Sequence, residues 1–91
     1  MILRNAGAAP PWIEADKEAR HLLAERDRLL EVAARTTDAG AGSLRARFDA
    51  CLDALDAALL RLEAAAPTLA QQRPRLDRAA SIAAFERALG R

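Results

Sequence analysis

The stretch LRARFDACLDALDAALLRLEAAAP, residues 44–67, decides how this chain folds. Within it Leu44, Phe48, Cys51, Leu55, Ala58, Leu62 and Ala65 recur at alternating steps of four and three. That period returns side chains to one edge of an α-helix and makes a heptad seam. Leu52 and Leu59 widen the seam, while Arg45, Asp49, Asp53, Asp56, Arg61 and Glu63 fall mostly outside it. Pro67 lacks the backbone donor a helix interior needs and pushes the residue before it out of helical geometry. The pattern predicts a helix over residues 44–66, about 35 Å long at 1.5 Å per residue.

Upstream, residues 36–43 read TTDAGAGS. Two glycines and two threonines predict a mobile connection, with the Ser43 hydroxyl as N-cap of the helix that follows. Before it, Trp12, Ala15, Ala19, Leu22, Leu29 and Ala33 are spaced by threes, fours and one gap at Arg26, and Leu23 and Leu30 lie to one side. This predicts a first amphipathic helix over residues 12–35, started by Pro10 and Pro11, which suit a first turn. Glu14, Asp16 and Glu18 sit in its opening turns, where carboxylates favour the positive end of the dipole. Downstream, residues 67–76 carry two prolines and read as an extended or turning connection. Asp77 can cap a short helix over residues 78–89, with Ile82, Phe85 and Leu89 on one face and Gly90 as a stop signal.

Composition agrees. The 91 residues are 52% hydrophobic and 30% charged, with 24 Ala, 14 Leu and 3% aromatic residues, the usage of long helices rather than of a β-sandwich or a disordered tail. The expected architecture is therefore all-α and a single domain over 1–91. It is an antiparallel hairpin of two long helices plus a short C-terminal helix. Two helices touching along one seam leave Leu23, Leu30, Leu52 and Leu59 beside it half covered. A fully buried Leu contributes about 1.5–3 kcal/mol. Either the third helix folds back over these leucines or another chain covers them, and self-association or a partner helix is expected to complete the fold. The hairpin-holding residues are Leu44, Phe48, Leu55 and Leu62; the expected partner surface is Trp12, Leu23, Leu30, Leu52 and Leu59.

The net charge of +1 argues against a protein that coats nucleic acid generally. The basic excess is confined to the tail, where Arg73, Arg75, Arg78, Arg87 and Arg91 face only Asp77 and Glu86. A nucleic-acid or ribonucleoprotein accessory using residues 73–91 is the second functional reading. The tail lacks the interleaved aromatics, glycine-rich loop or groove-reading helix that would favour it. No run of about 18 apolar residues predicts a membrane span, and the first eleven residues read as neither a secretory signal nor a transit peptide. A cytoplasmic setting is expected, in keeping with a single cysteine.

Candidate chemical groups read blandly. His21 is the sole imidazole and lies off the seam beside Arg20, as a surface histidine does. Cys51 lies on the seam, a core position rather than the electropositive, accessible setting a reactive thiolate needs. Asp49, Asp53 and Asp56 share a face but lack the turn glycine and terminal glutamate of a calcium loop. No phosphate-binding loop, serine-hydrolase elbow or zinc-protease pattern occurs. No catalytic residue, cofactor or metal is expected.

Two segments together carry a family resemblance. The first is Ile2-Leu3-Arg4-Asn5-Ala6-Gly7, then Pro10-Pro11-Trp12-Ile13 and Lys17-Glu18. The second is Ala66-Pro67-Thr68-Leu69 through Gln72-Arg73 to Leu76-Asp77, then Phe85-Glu86-Arg87-Ala88. Their order resembles the C-terminal half of the conserved domain of the DnaJ homologue subfamily C member 28 family. The "NAG…PPW" start is the most specific part. The resemblance implies a long helix, a second helix, a proline, an Arg/Gln segment and a short acid-capped helix. It implies no catalytic residue, and it points to a chaperone- or assembly-associated protein partner. The family's glycine-rich motif and the His-Pro-Asp tripeptide of a J-domain do not occur here, and Gln71-Gln72-Arg73 runs in the reverse of the family's usual order. Direct stimulation of a heat-shock chaperone as a J-protein is therefore not expected. The leading expectation is a non-enzymatic helical protein–protein interaction module.

Overall fold

The computed structural model describes residues 10–90. It consists of α1 (Pro11–Ala34), α2 (Asp38–Ala65), α3 (Pro67–Gln71) and α4 (Arg78–Gly90). The expected all-α hairpin with a short C-terminal helix is the fold. Asn5, Ala6 and Gly7 of the family-like start lie outside the described residues.

Pro10 has an extended backbone and Pro11 opens α1, with the Ile13 N–H donating to the Pro10 carbonyl at 3.0 Å. At the far end the Val32 carbonyl accepts from the Arg35 N–H at 3.0 Å and from the Thr36 hydroxyl at 2.6 Å, which tightens the last turn. The hairpin turn is much tighter than the sequence suggested. Residues 35–37 alone connect the helices, so Ala39 to Gly42 are helical and Ser43 is no cap. A glycine normally costs a helix about 1 kcal/mol. At Gly40 it serves packing instead: a Cβ there would stand 3.3 Å from the Thr36 methyl carbon. The missing side chain lets α2 begin directly beside the end of α1.

The two long helices run antiparallel. Glu18 pairs with Arg61, the Cys51 thiol lies 3.5 Å from the Leu22 carbonyl, and Glu25 lies 4.0 Å from Arg47. Partner numbers thus fall on α2 as they rise on α1. The seam residues Leu44, Phe48, Cys51, Leu55, Ala58 and Leu62 are all buried, and α1 meets them with Ala15, Ala19, Leu29 and Ala33. Three of these four α1 residues are alanines, so most of the large seam side chains come from α2.

Pro67 stops α2 as expected, but the connection after it is not simply extended. Ala66 leaves helical geometry, and Pro67 then starts the one-turn α3, closed by the Ala70 N–H donating to the Ala66 carbonyl at 2.9 Å. Proline has a backbone angle already set for a first helical turn, so it ends one helix and opens another. Asp77 caps α4, its carboxylate accepting from the Ala80 N–H at 2.9 Å.

α4 folds back onto the hairpin at its closed end. Phe85 is fully buried and stacks on Phe48 with ring centroids 4.5 Å apart and planes at 21°. Arg45 pairs with Glu86 and Arg78 with Asp53, so α4 runs antiparallel to α2. The Arg45 guanidinium also stands 6.0 Å from the Phe85 ring centre. Leu29, Ala33, Leu44, Phe48, Cys51, Leu52 and Phe85 make one core cluster; Ala19, Leu55 and Ala58 make a second, nearer the open end. Leu76, in the segment before α4, packs on both.

Candidate functional site

Of the five residues expected on a partner surface, one is fully buried and four are half-buried. Leu52 is fully buried in the cluster that contains Phe85 and fills the chain's own core. Its expected place on a partner surface is corrected for a physical reason: the stripe that the hairpin leaves uncovered is covered by α4. Leu30 is half-buried against that same cluster. Leu23 and Leu59 are half-buried against the other one, and Trp12 is half-buried in the first turn of α1.

Of the five, Leu59 borders one open cavity and Leu30 another. Past the middle of α2, a cleft of about 370 Å³ separates that helix from α3 and the segment leading to α4. The α2 wall consists of Asp56, Leu59, Leu60 and Glu63. Pro67, Ala70, Arg73, Pro74, Arg75 and Leu76 form the facing side. Leu60 is the exposed large hydrophobic residue among those described, at 59% exposure. The sequence reading passed over it. The signal was present: Leu60 follows Leu59 directly and stands off the heptad row, so the hairpin that buries Leu55, Ala58 and Leu62 leaves it outside.

Arg73 of this lining belongs to an ion pair with buried Asp16 that the sequence reading also missed. Asp16 is 5% exposed. Its two carboxylate oxygens accept from Arg73 Nε at 2.6 Å and Nη2 at 2.9 Å, and Arg20 Nε lies 3.3 Å away. Such a two-point guanidinium–carboxylate contact fixes orientation as well as distance. The Arg73 hydrogen bonds hold the Asp16 carboxyl below the usual carboxylate range against the opposing effect of burial. The fork ties the segment after α3 to the first turns of α1, across 57 positions of sequence. Linear spacing marked Asp16 only as a helix-start acid and gave no sign of its partner.

Two of the four described tail arginines are engaged in ion pairs. Arg73 is bound to Asp16 and Arg78 to Asp53, while Arg75 borders the cleft and Arg87 is exposed. Arg91 lies outside the described residues. The three acids of α2 are also separated in role: Asp49 lies 3.3 Å from Arg45, Asp53 pairs with Arg78, and Asp56 stands in the cleft. Among the described residues no three metal-ligating side chains converge. His21 is exposed. Cys51 is buried, and burial pushes its thiol up from the ordinary value against the opposing influence of Arg26. No helix of the described residues is long and apolar enough to cross a membrane.

A shallower depression of about 250 Å³ lies where α4 meets α1, lined by Arg26, Leu30, Arg75, Asp77, Ala80, Ser81 and Ala84. Ser81 is buried there. No protein-family model matches the chain, nor does any curated protein or solved structure, so the family likeness rests on its quoted residues alone.

Proposed function

We propose that this chain is a non-enzymatic helical protein–protein interaction module whose docking surface is the cleft around Leu60. One observation carries the reading: a leucine at 59% exposure stands on the rim of an open cleft that Leu59, Pro67, Pro74 and Leu76 also line. Leu60 stands beside other apolar cleft residues rather than singly, and an apolar patch with a polar rim is a usual form of protein contact. Support also comes from the polar side chains. Asp16 and Arg73 are bound to each other, and Arg45, Asp53, Arg61, Arg78 and Glu86 join helix to helix. These groups hold the fold together instead of converging on a reacting centre. The resemblance to the DnaJ-related conserved domain adds a chaperone- or assembly-associated partner to the proposal, in a cytoplasmic setting.

Affinity capture from the native host, with and without nuclease, tests the reading, with a folded Leu60→Glu variant as control. A protein retained through nuclease by the wild type and lost by the variant supports it. Retention that vanishes wholly with nuclease transfers the function to the arginine tail. Equal retention by the variant removes the cleft from the account.

A further inference from the structure

We infer that the occupant of this cleft is the same cleft of a second copy of the chain, seated about a two-fold axis that runs along the groove. The inference rests on the reading of the cleft as a docking surface and names its partner.

The two sides of the cleft carry opposite signs. Asp56 and Glu63, one heptad apart and about 10 Å along the axis, flank Leu59 and Leu60 on α2. Both acids are exposed and neither makes an ion pair among the described residues, whereas Asp49 and Asp53 on the same helix are paired with arginines. On the facing side Arg73 is committed to Asp16, and Arg75 is exposed and makes no ion pair among the described residues.

A surface that is acidic on one side of a line and basic on the other complements itself. A two-fold axis along that line sets the acidic wall of each copy against the basic wall of its mate. The same operation carries Leu60 of each copy over the Pro67 and Pro74 side of the other, where it leaves water. Turning the axis across the groove sets Asp56 and Glu63 against their own kind, which like-charge contact disfavours. A uniformly basic or uniformly acidic partner helix satisfies only one wall. The contact is self-complementary, as a two-fold interface requires, and small, which places it among weak and transient associations.

Sedimentation equilibrium from the low micromolar to the near-millimolar range tests this directly. The wild type is expected to pass from monomer to dimer, with dissociation favoured by added salt. Arg75→Glu makes both walls acidic, and the double variant Asp56→Arg with Glu63→Arg makes both basic. Each variant alone should stay monomeric, and an equimolar mixture of the two should recover a heterodimer. All three positions are exposed, so helicity by circular dichroism should be unchanged. Leu60→Glu, with no change in the basic wall, should weaken the dimer at least about tenfold. A wild type that stays monomeric throughout overturns the inference; if it still captures a nuclease-resistant protein, the interaction reading survives and only the second copy is excluded. A dimer indifferent to the charge swaps, or a mixture that stays monomeric where the wild type dimerises, likewise overturns it.

Discussion

Replacing Phe85 by leucine probes the packing of α4. Phe85 is fully buried and stacked 4.5 Å from Phe48. An aromatic pair of this geometry contributes about 0.5–1.5 kcal/mol beyond its buried area. Removing ring carbons that the surroundings only partly refill adds a cavity cost. The combined loss should be about 1.5–3 kcal/mol. A domain of this length has a total stability on the order of 5–14 kcal/mol, so the substitution consumes a substantial part of it. The melting temperature should fall by roughly 6–24 °C. Urea unfolding gives the free energy, provided the slope matches that of the wild type. Ala83→Ser, on the exposed face of the same helix, provides the control and should stay within about 0.5 kcal/mol. If Phe85→Leu costs no more than this control, α4 does not dock and the three-helix end of the molecule is wrong.

Other outcomes follow from the same structure. Asp16→Asn should destabilise the fold by about 1.5–3 kcal/mol, the range for hydrogen bonds to charged groups. Because Asp16 has its pKa lowered in the fold, its contribution is complete above the ordinary carboxylate value of about 3.9 and is lost as pH falls through the lower folded value. The stability gap between wild type and variant, measured by urea titration at several pH values, should therefore close only in acid; a gap that opens toward acid contradicts the assignment. Gly42→Ala should stabilise the protein by about 0.5–1 kcal/mol, since it lies in α2 with nothing within 4 Å of the added methyl. Gly40→Ala should gain less, because the methyl would press on Thr36; equal and negligible effects on the melting temperature would restore a flexible connection there. The Cys51 thiol, buried and pushed toward its protonated form, should react with a thiol reagent at a rate that follows unfolding of the protein, whereas rapid labelling of the native state contradicts its core position.

The hairpin was legible because its cause is periodic. Leu44, Phe48, Leu55 and Leu62 lie on one edge by spacing alone, and a regular helix has no other way to place them. The two halves of the molecule outside that seam were less legible, for different reasons. Gly40 and Gly42 signalled a loop because local propensity speaks for it; the close approach to Thr36 is a tertiary fact that no window of sequence contains. Leu52 looked free for a partner because the hairpin alone leaves it half covered. The choice between cover by α4 and cover by another chain depended on where residues 73–77 turn, and the Asp16–Arg73 fork that fixes their path joins distant positions without a local signature. Leu60 was the opposite case. Its place off the seam was visible, but an isolated surface leucine acquires meaning only when a cleft and two oppositely charged walls stand beside it.

The three-helix core requires α4 to lie across its own hairpin, and the two phenylalanines offer the most direct test. With only these two Phe, one Trp and no Tyr in the chain, the aromatic proton spectrum is simple. A nuclear Overhauser spectrum of dilute, specifically labelled protein should show strong cross-peaks between the Phe48 and Phe85 rings. Those cross-peaks should persist in full when labelled chains are diluted into an excess of unlabelled ones. Absence of the contact, with Phe85 at the shifts of an unstructured peptide, or its loss on dilution into unlabelled chains, would contradict the claim that this molecule closes its core with its own last helix.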